Sequence, residues 1–129
     1  MKVVIIFIEY YGRVLIGKKV VKSGHEFSDT WHVPGGTVGA KEAIIDAVKR
    51  EAKEETNLKV TIIESLGNFV YDGKDLYVYL TRPTGNIKNL HANDDLQEVK
   101  FVEKSKVLEL FSQQRKRFWP NKVLEYLSN

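Results

Sequence analysis

Three glutamates, Glu51, Glu54 and Glu55, stand within one helical turn and a half of each other. At about 100° of rotation per residue, with Glu51 at zero, Glu55 falls near about 40° and Glu54 near about −60°. On the same wheel Ile44, Ile45, Ala47, Val48 and Ala52 form an apolar arc from about −40° to about 120°. Glu51 and Glu55 lie inside that arc and Glu54 on its edge, whereas Glu42, Asp46, Lys49, Arg50 and Lys53 fill the opposite, solvent side. Carboxylates crowded on the inward side of a helix repel one another, and burial raises the cost. Such an arrangement persists where cations compensate it, and divalent ions do so best. Oxygen-only ligands with no histidine or cysteine beside them point to Mg2+ or Mn2+ rather than zinc. The competing reading is a wet helix end on which the acids pair with Lys49, Arg50 or Lys53.

The elements that must carry these acids are legible on either side. From Ala40 to Thr56 there is neither proline nor glycine, which predicts a helix, and Asn57 sits where a left-handed C-cap falls. Upstream, Lys2 to Ile8 is β-branched and apolar on both parities, as a strand covered on both faces is. Tyr11-Gly12-Arg13 marks a turn into a second strand, Val14-Leu15-Ile16. Residues 20–30 read as a loop, and Trp31 to Gly39 as a short strand broken by Pro34, Gly35 and Gly36. Downstream, Lys59–Ser65, Asn68–Tyr71, Leu76–Thr81 and Val99–Val102 read as strands, with Arg82–Asp95 a polar loop. Ser105 to Leu127 reads as two helical pieces broken at Trp119-Pro120. Strands on both sides of a long helix, followed by C-terminal helices, predict an α/β/α sandwich with a mixed β-sheet.

Composition excludes several classes. With 129 residues, 43% hydrophobic and 29% charged, the chain has material for a single domain spanning 1–129 and one core. The absence of cysteine removes disulfide scaffolds, zinc–thiolate sites and thiol nucleophiles. The apolar run Val3 to Ile8 is too short to span a bilayer or serve as a signal segment, so a cytoplasmic protein without a membrane partner is expected. The net charge of +3 is mild and suits an anionic small ligand as well as nucleic acid.

Gly36, Glu42 and then Arg50-Glu51-Ala52-Lys53-Glu54-Glu55-Thr56-Asn57-Leu58 resemble the Nudix box, Gly-x5-Glu-x7-Arg-Glu-apolar-x-Glu-Glu-x-Gly-apolar. Every polar anchor stands at its spacing, and the one departure is Asn57 in the place of a glycine. Asparagine also enters the left-handed region. The resemblance to Nudix hydrolases implies an enzyme that cleaves the pyrophosphate of a nucleoside diphosphate linked to another group, with Mg2+ or Mn2+ held against the diphosphate. It implies metal binding by Glu51, Glu54, Glu55 and the Gly36 carbonyl, and a catalytic set of Glu51, Glu54, Arg50, Asp95 and Glu98. Arg50 and Glu42 would orient the acids through charge-assisted hydrogen bonds, with Asn57 closing the box. Glu51 or Glu54 would serve as general base; Asp94, Asp95 and Glu98 are the loop acids, with Asp95 or Glu98 assisting.

Substrate contacts are expected from Lys18, Lys19, His32 and Gly35. Only one of two adjacent strand lysines faces a given site, and a lone histidine is commonly a satisfied structural residue. Phe69, Tyr71 and Tyr77 are core candidates before they are base-stacking ones. Arg115-Lys116-Arg117-Phe118-Trp119 reads as a solvated helix end packed by Trp119 rather than a nucleic-acid contact. The proline of ADP-ribose-type relatives is replaced by Gly73-Lys74, and Tyr77 lies close to, though not at, the tyrosine position of dinucleoside-polyphosphate types. Elimination leaves the MutT-like group, which hydrolyses nucleoside triphosphates to the monophosphate and pyrophosphate. The alternatives are an ADP-ribose, nucleotide-sugar or dinucleoside-polyphosphate pyrophosphatase, or a silent nucleotide- or RNA-binding module. A small nucleotide is the expected partner, nucleic acid is not, and a homodimer stays open.

Overall fold

The computed structural model describes residues 1–20, 30–112 and 119–129. In chain order its elements are β1 (Lys2–Tyr10), β2 (Arg13–Lys19), β3 (Trp31–His32), β4 (Gly35–Thr37), α1 (Ile44–Thr56), β5 (Val60–Tyr71), β6 (Lys74–Pro83), β7 (Leu96–Glu103), α2 (Lys104–Ser112) and α3 (Asn121–Ser128). Strand β1 lies at the centre. One edge pairs in parallel with β6, from Lys2 opposite Asp75 to Ile8 opposite Thr81. Its other edge is shared: β4 takes the first half, with Val3 opposite Thr37, and β2 takes the end, with Tyr10 opposite Arg13. The sheet therefore divides, with β5 beyond β6 on one wing and β3 and β7 flanking β2 on the other. Between them the Ile6 amide donates to the Pro34 carbonyl at 2.8 Å, so the segment from β3 to β4 bridges the division.

The alternation of β1 sorts the core into two layers, since successive side chains face opposite ways. Val4, Ile6 and Ile8, with Leu15, meet Ala47, Val48 and Ala52 of α1. Ile5 and Phe7, with Val14 and Ile16, meet Val107 of α2 and Val123 and Leu127 of α3. This is the expected mixed sheet between helical layers. Each fully buried Val or Ile contributes about 1.5–3 kcal/mol, which is why one strand can serve both layers. Trp119 seals the second layer, 5.1 Å from Phe69 and 6.4 Å from Phe7 between ring centroids. Phe69 and Tyr71 pack on that layer, and Tyr77 on the first, as core residues.

Several expectations are corrected. The helix begins at Ile44 rather than Ala40, because Ala43 is extended, at φ −71° and ψ 147°. The Glu42 side chain there accepts from the Gly39 amide at 2.9 Å instead of continuing the helix. Ile45, at the margin of the arc, is exposed. The two strands expected over 59–71 are one, interrupted by register shifts between Ile62 and Glu64 and between Ser65 and Gly67. Gly67 is required at the second shift: its φ is +104°, and a Cβ there would meet Pro120 at 2.9 Å. The loop expected over 20–30 falls mostly outside the described residues, as do Arg115, Lys116, Arg117 and Phe118. Among the described residues no helix is long and apolar enough to cross a membrane.

Candidate active site

Helix α1 lays Ala47, Val48, Ala52, Glu51, Glu55 and Thr56 toward the sheet. Two of the three box glutamates are thus buried, Glu51 at 8% exposure and Glu55 at 1%, while the Glu54 side chain is 47% exposed. The helix ends as expected: Asn57 is left-handed at φ 63°, and its amide donates to the Lys53 carbonyl at 3.0 Å.

Arg50, expected on the solvent side, is instead the hub of the acids. Its Nε and Nη2 donate to the two oxygens of Glu42, at 2.7 and 2.8 Å. Its Nη1 donates to Glu51 at 2.9 Å and to Glu54 at 3.1 Å, and Nη2 also reaches the Thr37 carbonyl at 3.0 Å. A planar guanidinium satisfies this many acceptors at once, where an ammonium could not. The Arg50 hydrogen bonds, with the Gly39 amide, hold the Glu42 carboxyl down to about 2. Burial pushes the Glu51 carboxyl up, against the pull of Arg50, and the negative charges of Glu54 and Asp94 add to the rise.

Glu55 turns the other way. Its Oε1 accepts from the Gly35 amide at 2.8 Å, and its Oε2 lies 3.7 Å from Lys19 Nζ. Lys19 also donates to Asp95 Oδ2 at 3.0 Å, so one ammonium serves two carboxyls. Burial, and then the carboxyl of Asp95 within hydrogen-bond reach, push Glu55 up to about 8. Burial would raise Asp95 too, but hydrogen bonds from Glu55 and Lys19 outweigh it and lower that group. The Asp95 Oδ1 atom is buried with no donor other than what a proton on Glu55 would supply.

The two glycines upstream are fixed by close approach. A Cβ on Gly36 would sit 2.3–2.4 Å from the Glu51 carboxylate atoms, and one on Gly35 would sit 2.3 Å from the Val4 carbonyl oxygen. Only a bare Cα admits Glu51 there.

Of the basic pair, Lys19 reaches the helix acids, while Lys18 stands on the other side of a register shift between the two. Glu98 pairs with Lys18 across β2 and β7, so it is not brought together with Glu55 and Asp95. His32 pairs with Gly17, and its Nε2 is 2.5 Å from Thr30 Oγ1, a structural partner. Asp94, left-handed at φ 56°, brings its charge to bear on Glu51 while Asp95 meets Glu55. Sequence reasoning missed two groups: the Thr37 carbonyl on Arg50, which carries no side-chain signal, and the Asn57 side chain. The Asn57 amide donates to the Asn89 carbonyl at 2.9 Å, and its signal was a polar residue in a glycine position.

The donor set suits a hard divalent cation. It consists of oxygens alone, one of them an orphaned buried Asp95 oxygen, beside a glycine cradle that only a side chain would close. Among the described residues no three of these acids already converge on one point: Arg50 draws Glu51 and Glu54 together, and Lys19 draws Glu55 and Asp95.

The fold agrees with comparison to known proteins. The NUDIX domain family model matches residues 1–126, and the chain belongs to that family. The low-salt glycan biosynthesis protein Agl8 of Haloferax volcanii is 39% identical over 71 residues, 54% of this chain and 44% of that protein. The RNA pyrophosphohydrolase of Bartonella bacilliformis is 36% identical over 66 residues, 47% of this chain and 39% of that protein. The matched part thus spans less than half of either relative. Among solved structures, the MutT protein of Methanosarcina mazei Go1 superposes with a TM-score of 0.70 at 20% identity, covering 99% of this chain and 90% of that one. A bifunctional NMN adenylyltransferase/ADP ribose pyrophosphatase of Francisella tularensis, complexed with AMP and Mn, gives 0.69 at 20% identity, covering 98% of this chain and 40% of that one.

Proposed function

We propose that the chain is a divalent-metal-dependent pyrophosphohydrolase that cleaves nucleoside triphosphates, in the manner of MutT-like proteins, to the monophosphate and pyrophosphate. The observation that carries this reading is the burial of Glu51 and Glu55 on a helix end where, among the described residues, Arg50 and Lys19 are the basic groups paired with them. Glu51, Glu54, Glu55 and the Gly36 carbonyl would hold Mg2+ or Mn2+. The bound ion supplies charge neutralisation of the diphosphate and acidification of the attacking water.

The chain's own groups supply the rest. Arg50 and Glu42 fix the rotamers of Glu51 and Glu54, so the acids are placed before substrate arrives. Glu54, the most exposed of the three, would take the proton of a water, with Glu51 as the second box candidate. Asp95 and Lys19 hold Glu55 in place and set its protonation. Lys19, which reaches both Glu55 and Asp95, is available to meet a phosphate oxygen once these acids turn to another cation. Gly35 keeps the backbone of β4 tight on β1, which fixes the floor of the site. Glu98 has no part in this assignment, since its strand partner is Lys18.

The test is release of phosphate or pyrophosphate from a panel of nucleoside triphosphates, ADP-ribose, nucleotide sugars, dinucleoside polyphosphates and 5′-triphosphorylated RNA, with Mg2+, with Mn2+ and with chelator. Metal-dependent turnover of triphosphates ahead of the others is expected. Faster turnover of another class reassigns the substrate, and no turnover of any converts the reading to a binding module.

A further inference from the structure

The segment 84–95 delivers two acids to a place that repels them. Asp94 and Asp95 approach the C-terminal end of α1, where unpaired carbonyls concentrate negative charge and Glu51, Glu54 and Glu55 add more. Backbone bonds offset part of this repulsion. The His91 amide donates to the Thr56 carbonyl and the Asn93 amide to the Glu55 carbonyl, both at 3.0 Å, so the segment caps the helix end. Ile87 and Leu90 pack on the first core layer. The Asp95 carbonyl in turn accepts from the Val20 amide at 2.8 Å, which ties the far end of the segment to β2.

Asn57 adds a bond that depends on its side chain. Its Nδ2 donates to the Asn89 carbonyl at 2.9 Å, from a residue already held left-handed by the end of the helix. A glycine would give the same backbone turn and no such donor. We propose that Asn57 is a positioning residue: by tethering Asn89 it holds segment 84–95 in register on α1, so that Asp94 and Asp95 stand beside Glu51 and Glu55. The consequence for turnover rests on the function proposed for the acidic site, whereas the tether itself does not.

Amide hydrogen exchange on the whole chain separates the two. Asn57→Gly keeps the left-handed turn and removes the donor; Asn57→Asp keeps the shape and replaces the donor by an acceptor. In chelator, both variants exchange the His91, Asn93 and Val20 amides about 3- to 10-fold faster, the size of one lost hydrogen bond. The Ala47 amide inside α1, bonded to the Ala43 carbonyl, keeps its wild-type rate. Unchanged rates at His91 and Asn93 overturn the tether, and unchanged rates at Val20 overturn its reach to Asp95. For turnover, Asn57→Gly lowers kcat about 3- to 10-fold at constant KM, and costs less than about 2-fold when Asp95→Asn is already present. Additive losses overturn a role acting through Asp95. Absence of turnover in the wild type would remove the proposed function while leaving the exchange result to decide the tether.

Discussion

Glu55 gives the sharpest test of the electrostatics. It is 1% exposed, and burial with the Asp95 carboxyl beside it raises it from 4.5 to about 8. An acid raised on folding contributes fully to stability below its unfolded value, and that contribution is lost as pH rises toward the folded one. Every tenfold difference in proton affinity between the folded and unfolded chain corresponds to about 1.4 kcal/mol. Metal-free wild type therefore loses about 3 kcal/mol between roughly pH 5 and pH 7, and up to about 5 by pH 8 and above. Glu55→Gln mimics the protonated acid: its carbonyl accepts from the Gly35 amide and its NH2 faces Asp95. Its stability falls less over the same range, since the raised Glu51, common to both proteins, is what remains. Asp95 does not confuse the comparison, because a carboxyl lowered below 3.8 titrates beneath this window. Urea midpoints or thermal melts in chelator, for both proteins from about pH 5 to about pH 9, read the difference directly. The curves should diverge with rising pH by on the order of 10 °C and converge again when Mn2+ is added. Parallel curves in chelator would refute a strained, proton-retaining Glu55.

Other consequences are simpler to state. Gly36→Ala places a Cβ 2.3–2.4 Å from the Glu51 carboxylate, so turnover should fall at least about 100-fold while the melting curve moves little; wild-type kinetics would show that Glu51 need not lie there. Arg50→Lys keeps the charge and loses the fork to Glu42, and should lower the denaturant midpoint in chelator, less so with Mg2+; an unchanged midpoint would show that the fork does not hold the acids. Glu54→Gln and Glu55→Gln should each lower kcat at least about 100-fold in a phosphate-release assay with circular dichroism unchanged. Retained rates would remove those residues from the catalytic set.

What was legible in the sequence is what helical and strand periods encode. The phase of Glu51 and Glu55 against Val48 and Ala52 showed that acids enter the core, and the structure buries both. The two-parity apolar run of β1 foretold a strand with helices on both faces. Asn57 foretold the end of α1. The start of that helix was not legible, because Glu42 has good helical propensity and is drawn out of the helix by Gly39 and Arg50, a tertiary effect. The wheel alone set Arg50 toward solvent, whereas the resemblance gave it, with Glu42, the orienting role seen here; what neither carried is the bend of the 37–43 segment that brings Glu42 back across it. Glu98 was grouped with Asp95 by proximity in sequence, but it stands opposite Lys18, across the register shift from Lys19, which is the lysine that pairs with Asp95. Docking of segment 84–95 on the helix carbonyls uses backbone groups, which leave no trace in residue type.

The parallel pairing of β1 with β6 shapes how the chain comes into being. The strongly apolar β1 is made well before its neighbour from Lys74 to Pro83, with β2 to β5 and α1 between them. Local hairpins such as Tyr10 opposite Arg13 can close early; the central ladder must wait on a distant search through the ensemble. During that delay the greasy ribbon of β1 offers an open edge to its own kind, so nascent copies are most prone to clump before β6 has emerged.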